Sequence, residues 1–473
     1  MPIGDTLGGF IRPGYNPLLV TDAPTIGTAS PGGALAVSIT FTAPSDVGGG
    51  AITSYEAVAT DTVTGASFLT TGTSSPITVT GLSAGQSYTV TVTAINAYGP
   101  SGMSAASNSS AEGVLAELWT WGYSAYGVLG YDDPVGNQSS PVQVGTDTTW
   151  KLVSASYYGM AAIKLDGTAW CWGRGTAGQI GNGADATVSS PVQVGAETTW
   201  SAISCGTMSN IALQTNGTLW AWGSGGYGNL GNGDTANRSS PTQVGALTTW
   251  LTASMGYKSV SAIKTDGTLW SWGANSHGEL GLGNTTSYSS PVQVGALTDW
   301  LKITAGYEHK VAIKTDGTLW AWGTGTYGRL GLGNTTNYSS PVQVGGLTTW
   351  STVSGGYRHT VAVKTDGTIW AFGRGTSGEL GQGNTTNYSS PVQIGALTTW
   401  NAGMSSGAGT ELTGSIKTDG TIWTIGWNGW GQLGIGSTTD KSSPVQVGAL
   451  TTWLSLAVGG PTGVSMAGLK EPV

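Results

Sequence analysis

Thr315-Asp316-Gly317-Thr318-Leu319-Trp320-Ala321-Trp322-Gly323 is the stretch from which the fold can be read. Asp316-Gly317 is a two-residue hairpin signal, and a strand-forming run follows it. Versions of the stretch return at a near-fixed spacing. The Gly closing each Trp-x-Trp-Gly-like motif stands at 122, 173, 223, 273, 323, 373 and 426. Gly-x-Leu/Ile-Gly keeps the same phase at 127–130, 178–181, 228–231, 278–281, 328–331, 378–381 and 431–434. Ser-Ser-Pro starts at 139, 189, 239, 289, 339, 389 and 442, and a lone Trp follows at 150, 200, 250, 300, 350, 400 and 453. A period of this length is read before anything else, and here it gives seven units.

Four short strands are expected per unit, at 341–344, 350–353, 360–364 and 368–372 in one copy. Four strands in about 50 residues make a propeller blade. A blade buries its faces only against neighbours, so the array must close into a ring. Seven Trp-Gly segments stand against six Asp/Asn-Gly-Thr turns, at Asp166, Asn216, Asp266, Asp316, Asp366 and Asp419. The missing turn marks the closure. We expect 118–122 to be a fourth strand that joins three C-terminal strands at 444–447, 453–458 and 464–468.

The unit Gly306-Tyr307-Glu308-His309-Lys310-Val311-Ala312-Ile313-Lys314-Thr315-Asp316-Gly317, with Trp320-Ala321-Trp322-Gly323 and Gly328-Arg329-Leu330-Gly331, resembles the regulator of chromosome condensation repeat. The resemblance spans 113–473 and implies a seven-bladed β-propeller. The family's nucleotide-exchange and chromatin roles do not transfer to so acidic a chain. Bacterial and viral relatives of the fold serve as binding or inhibitor scaffolds, and fold alone does not give function.

Residues 23–112 alternate at period two around Val37–Phe41, Ile52–Ala59, Ile77–Leu82 and Tyr88–Asn96, with turns between, as a β-sandwich does. Gly81-Leu82-Ser83-Ala84-Gly85-Gln86-Ser87-Tyr88-Thr89-Val90-Thr91-Val92-Thr93-Ala94-Ile95-Asn96-Ala97-Tyr98-Gly99 resembles the second half of a fibronectin type III domain. Tyr88 would be its tyrosine corner. The family's usual Trp is missing, since none precedes Trp119. The resemblance implies a spacer or adhesive module. Ser104 to Glu112 reads as a linker. Residues 1–22 carry scattered apolar side chains among Gly and Pro and read as an extended docking arm. The expectation is therefore all-β: an arm (1–22), a fibronectin type III-like β-sandwich with its linker (23–112), and a seven-bladed β-propeller (113–473) closed by both ends of the array.

Charged residues are 9% of the chain and the net charge is −8. Only Arg12 among the 17 Lys and Arg lies in the first 112 residues, and the others form no basic run. Nucleic acid is not an expected partner. No run of 18 apolar residues calls for membrane insertion. Two cysteines, Cys171 and Cys205, are too few for a disulfide framework, and Cys171 reads as a small buried thiol. The start Met1-Pro2-Ile3-Gly4-Asp5 lacks a secretory pattern, while the uncharged, Gly-, Ser- and Thr-rich composition suits an extracellular particle.

If a blade's strands alternate in direction, its loops sort onto two faces. The Asp-Gly turns share one face and barely change. The other face varies and carries Tyr157, Tyr158, Tyr257, Lys258, Tyr307, Tyr357 and Arg358 from one loop set. A second loop set adds Tyr126, Tyr227, His277, Tyr327, Trp427 and Trp430. Tyr, Trp and Arg are common interface anchors, and they also suit the apolar faces of sugar rings. The same aromatic residues can instead be packing plugs between blades. The loop at 401–413 is three residues longer than its counterparts, which singles out that sector.

No metal, cofactor or catalytic set is expected. His309 and His359 occupy equivalent positions and read as structural, and no His or Cys spacing fits a metal. The repeated Asp residues satisfy their own turns, and Asn216 replaces one of them. Asp132-Asp133 lacks the surrounding spacing of a calcium loop. The expected function is a non-enzymatic virion component, such as a phage tail or fibre protein, in several copies. Its arm would dock on other virion proteins and its propeller would face a host receptor or glycan. A bacterial surface adhesin or secreted inhibitor is the alternative, and a polysaccharide-degrading enzyme a remote one.

Overall fold

The computed structural model describes residues 19–31, 36–62, 65–82, 87–108, 110–111, 115–131, 136–400, 411–460 and 465–472. The chain divides into two compact units, Met1–Leu115 and Ala116–Val473. No α-helix occurs among the described residues.

The first unit is a sandwich. One sheet pairs Thr25–Pro31, Ala36–Thr42 and Ile77–Thr80; the other is built on Ser67–Gly72, Ile52–Asp61 and Ser87–Asn96. The inward residues of each strand form one core, in which Phe41, Tyr55 and Tyr88 supply the aromatic volume. The loop that Tyr88 would close, 83–86, lies outside the described residues, as does 1–18 of the expected arm. Leu19 onward belongs to the sandwich: the Leu19 carbonyl accepts from the Gly49 N–H and from the Asn96 amide. The linker reading is also corrected. Ser101, Ser104 and Ser107 each donate a backbone N–H to Ser87–Asn96. Each returns its hydroxyl oxygen as acceptor, for Ala94, Val92 and Val90 respectively. Serine hydroxyls here take the place of ladder carbonyls, so a small-residue segment that looks structureless forms the sheet edge.

The second unit is a ring of seven sheets. Blade 1 runs Trp150–Ala155, Gly159–Lys164, Ala169–Gly173, Val188–Gln193. Blades 2 to 5 repeat it from Trp200, Trp250, Trp300 and Trp350. Blade 6 holds Leu412–Ile416, Ile422–Gly426 and Lys441–Gln446, with Trp400 bridged to Lys417 where a first strand begins. Blade 7 is Trp453–Val458, Ser465–Lys470, Glu117–Gly122 and Gln138–Gln143. Both ends of the array close the ring, but two strands come from each end where one and three were expected. The Ser-Ser-Pro strand closes the blade before it: Trp320 pairs Gln343, and Ala321 pairs Val342. A periodic sequence has the same spacing wherever the unit is cut, so only pairing reveals the start of a blade.

The repeated stretch has a job at both of its ends. In the turn, Asp316 Oδ1 accepts from the Thr318 N–H (2.9 Å) and hydroxyl (2.7 Å), and that hydroxyl accepts from the Trp320 indole at 2.8 Å. The same chain recurs from Asp166, Asn216, Asp266, Asp366 and Asp419. A lysine ammonium packs on the indole, Lys314 at 4.3 Å from the Trp320 ring. Where Asn216 replaces Asp, Gln214 replaces that lysine and accepts from Thr218, so both charges are absent together. Gly317 has φ +77, and a Cβ there would strike the Thr348 carbonyl. Its own carbonyl accepts the Trp350 N–H of the next blade at 3.1 Å. In the closing blade, which has no turn, Glu117 accepts from Trp119 and pairs with Lys470 at 3.0 Å. One end of the array supplies the acid and the other the base.

At the far end of the stretch the second Trp reaches across the seam. The indoles of Trp172, Trp222, Trp272, Trp322 and Trp121 donate to the carbonyls of Val128, Gln179, Asn229, Glu279 and Gln432 of the preceding blade, at 2.9–3.1 Å. These carbonyls belong to the x residue of Gly-x-Leu/Ile-Gly. In the two remaining blades the aromatic donor is lost, to Phe372 and Ile425. Their cross-strand partners Thr360 and Thr413 donate instead, to Arg329 (2.9 Å) and Glu379 (3.0 Å).

Thr360→Val leaves the Arg329 carbonyl without its donor. We predict a loss of about 1–3 kcal/mol, the usual cost of a buried unsatisfied group, and partial recovery when Phe372→Trp is added. Chemical denaturation of the three proteins measures this; equal midpoints for parent and Thr360→Val would refute the compensation.

Candidate functional site

Antiparallel pairing throughout each blade puts the loop after the first strand and the loop after the third on one face. The asparto-glycine turns lie on the other. The varying face carries two aromatic groups.

In the first, Tyr257 and Tyr307 stack at 4.1 Å with planes 11° apart, and Tyr307 meets Tyr357 edge-to-face at 4.5 Å. Three neighbouring blades thus contribute one continuous run. Cations cap it: Lys258 lies 4.4 Å from the Tyr257 ring and 4.3 Å from Tyr227. Arg358 lies 4.4 Å from Tyr357 and 5.4 Å from Tyr327. Burial disfavours the Lys258 charge, but the Tyr227 and Tyr257 hydroxyls outweigh it and leave its pKa raised. Burial, then the hydrogen bond that Tyr307 shares with Tyr257, pushes the Tyr307 hydroxyl well above its usual range. Lys258 is therefore charged and the Tyr307 phenol neutral near pH 7.

In the second group, Tyr157 and Tyr158 are in contact at 3.9 Å, and Tyr126 meets Tyr158 at 5.4 Å. Arg174 sits 4.8 Å from Tyr158. Across the closing blade, Tyr123 meets Trp430 at 5.3 Å, and Trp430 meets Trp427 at 6.3 Å. Burial and the Tyr157 hydrogen bond raise Tyr158 to about 12. The structure brings His277 into neither group; its ring faces Ser276. Loop residues 401–410 and Asp132-Asp133 lie outside the described residues.

Tyr123, Arg174 and Arg374 escaped the sequence reading. They occupy the position after the Trp-x-Trp-Gly glycine, the one that Trp427 holds in its own repeat. Arg374 pairs with Glu411 of the next blade. The x residue of Gly-x-Leu/Ile-Gly also escaped it. Gln179, Glu279, Glu379 and Gln432 each accept the N–H of the residue two before, at Ala177, His277, Ser377 and Trp430. Val128 and Arg329 offer no such acceptor. In those two blades Tyr126 and Tyr327 turn to positive φ, 61° and 65°, which is strained for a tyrosine. Asn229 likewise accepts no such N–H, yet Tyr227 is not at positive φ, so loss of the pin permits the turn without imposing it.

His309 and His359 begin second strands and are buried at the seams rather than set in loops. Each Nε2 bonds the threonine of the next blade, Thr360 at 2.9 Å and Thr413 at 3.0 Å. Each threonine gives its own proton to a carbonyl, so it accepts from Nε2–H and the imidazole is neutral. Burial drives His309 well below the usual range and His359 to about 3. Lys310 is fully buried, donates to the Ser259 carbonyl at 3.0 Å, and is lowered by burial to about 7. Burial also raises both cysteine thiols, Cys171 well above the usual range and Cys205 to about 12. Among the described residues, no three His, Cys, Asp or Glu side chains gather as a metal set.

The RCC1-like domain matches residues 69–344. The chain belongs to the RCC1-like domain family. Regulator of chromosome condensation (RCC1) repeats match 366–409 and 419–462, and a second form of the repeat matches 350–379. A fibronectin type III domain matches 22–110, so the RCC1-like match begins inside the sandwich. Human WBSCR16 is similar in structure at 20% identity and a TM-score of 0.66, covering 75% of this chain and 99% of its own. Prp20p of Saccharomyces cerevisiae, whose binding to Gsp1p and histones is recorded with its structure, is similar at 16% identity and a TM-score of 0.66. It covers 76% of this chain and 92% of its own. At these identities the likeness is one of fold. No curated protein matches the chain.

The buried histidines give a pH dependence. Their folded pKa values lie below the unfolded value near 6.5. The unfolded chain therefore binds more protons between that value and about 3. Their contribution is complete above about pH 6.5 and is lost as the pH falls. We predict that lowering the pH from 7 to 4 destabilises the propeller, with a shallower slope in His309→Gln/His359→Gln. Denaturant titrations at each pH test it, and parallel slopes would contradict it.

Proposed function

We propose that the chain is a non-enzymatic attachment protein of a phage particle, whose varying propeller face engages a host-surface receptor or glycan. The observation that carries this reading is the cation-capped run Lys258–Tyr257–Tyr307–Tyr357–Arg358. It stands on loops that differ between repeats otherwise nearly alike. A constant scaffold with one varied rim is what a binding surface requires, and Tyr and Arg are the side chains that anchor such surfaces. The ring faces suit apolar sugar or side-chain faces, and the two cations suit an acidic group on the same ligand.

The order of parts supports a particle component. The residues before Leu19 would dock on other virion proteins, the fibronectin type III domain would act as spacer, and the propeller would carry the attachment surface, in several copies. Catalysis forms no part of the proposal. The carboxylates of Asp266, Asp316, Asp366 and Asp419 are held below their usual range by their own Thr hydrogen bonds. Each turn Asp engages its Oδ1 in the turn itself.

Tyr257→Ala/Tyr307→Ala should weaken attachment of the purified protein to host cells by at least about tenfold, in line with the loss of two interface anchors. Its melting temperature should stay near that of the parent. Cell-binding isotherms for parent and variant measure this. Undiminished attachment by a folded variant would sink the assignment of the face.

A further inference from the structure

The turn side of the ring carries a repeated cavity. One, of about 360 Å³, opens where blade 4 meets blade 5; another, of about 300 Å³, opens where blade 3 meets blade 4. Their linings correspond residue for residue, so the cavity is a property of the repeat. Trp370 in one and Trp320 in the other present partly exposed indoles. Leu347 with Pro391, and Leu297 with Pro341, form the apolar wall. An amide (Gln343 or Gln293) and a hydroxyl (Ser390 or Ser340) supply polar groups, and no charged side chain lines either cavity.

Trp350 and Trp300 also line the cavities and are only 3% exposed. Their buried indole N–H groups lack a protein acceptor, as do those of Trp150, Trp200, Trp250, Trp400 and Trp453, so the orphaned donor belongs to every seam and does not by itself mark the cavities.

We infer that these cavities are subsites for single neutral hexopyranose units. The apolar face of a pyranose matches a flat indole, and its hydroxyls match an amide and a hydroxyl. The uncharged lining matches an uncharged sugar, and the volume is at the small end of ligand sites, fit for one ring. The sequence extends the set around the ring. The wall leucine recurs as Leu247, Leu397 and Leu450, and all five leucines are 41–50% exposed. At the two other seams the position is Asp147 or Glu197. Asp147 pairs there with Lys164 at 2.6 Å. Five consecutive seams therefore carry the neutral subsite and two carry an acid. Like subsites along an arc suit a polymer with a neutral repeating unit, because linked weak sites add through effective concentration. This surface is separate from the varying face, so it stands or falls independently of the attachment role.

The test titrates the full-length protein with methyl glucoside, methyl mannoside, methyl galactoside and N-acetylglucosamine. Tryptophan fluorescence and indole ¹⁵N shifts are read. At least one sugar should saturate with more than one site per chain and a Kd on the order of 1–10 mM. A neutral polymer of the same sugar should bind at least about a hundredfold tighter. Changing all five leucines to Asp, a residue the fold already accepts at 147, should remove both. If no sugar saturates below about 100 mM, a range weaker than any functional multivalent site needs, the inference is overturned. It is equally overturned if the folded five-leucine variant binds as the parent does. Should that variant fail to fold, the indole shifts of the parent decide: they must move at Trp300 and Trp350.

Discussion

Each seam of the ring depends on one bond, in which a side chain of one blade donates to the carbonyl of the x residue in the preceding Gly-x-Leu/Ile-Gly loop. Five seams use a tryptophan indole and two use a threonine hydroxyl. The constraint is physical. Packing blade on blade takes that carbonyl out of water, and a buried acceptor must be met. When the indole is lost at Phe372 or Ile425, the neighbouring strand supplies a hydroxyl at the paired position. The donor can change its residue and strand, but the carbonyl is satisfied at all seven seams.

Other features follow from this bond. The loop that offers the carbonyl also holds the exposed residue two before x, so the buried seam and the varying rim share one segment. Gln or Glu at x pins that residue through its N–H. Val128 and Arg329 do not, and Tyr126 and Tyr327 turn to positive φ. The threonines that replace the indoles also hold His309 and His359 neutral and buried. Seam chemistry therefore sets the acid sensitivity of the ring and, through the pin at x, limits how the rim residue can turn.

Much of this was legible in the sequence, and what was not has identifiable causes. Blade number, ring closure and the sorting of loops onto two faces come from period and turn chemistry, which are local. The first strand of a blade does not, because a repeat has no intrinsic origin; pairing of Trp320 with Gln343 decides it. Glu117 and Lys470 lie at opposite ends of the array, so nothing local marks them as the substitute for the seventh turn. The serine ladder at Ser101, Ser104 and Ser107 has period three and small residues, and it carries no strand signature. At the varying face the sequence named the tyrosines. It could not show that three of them from consecutive blades form one run, or that Arg174 and Tyr123 belong with the others.

The central claim is a ring sealed by equivalent seams, with the one between the chain ends as firm as the rest. Native-state hydrogen exchange measures it directly, since amides report the free energy at which their own segment opens. The amides of Glu117–Gly122 and Ser465–Lys470 should be as protected as those of Ser259–Lys264 and His309–Lys314, all opening near the global unfolding free energy. Exchange of the closing blade at a much lower free energy than the others would contradict the account.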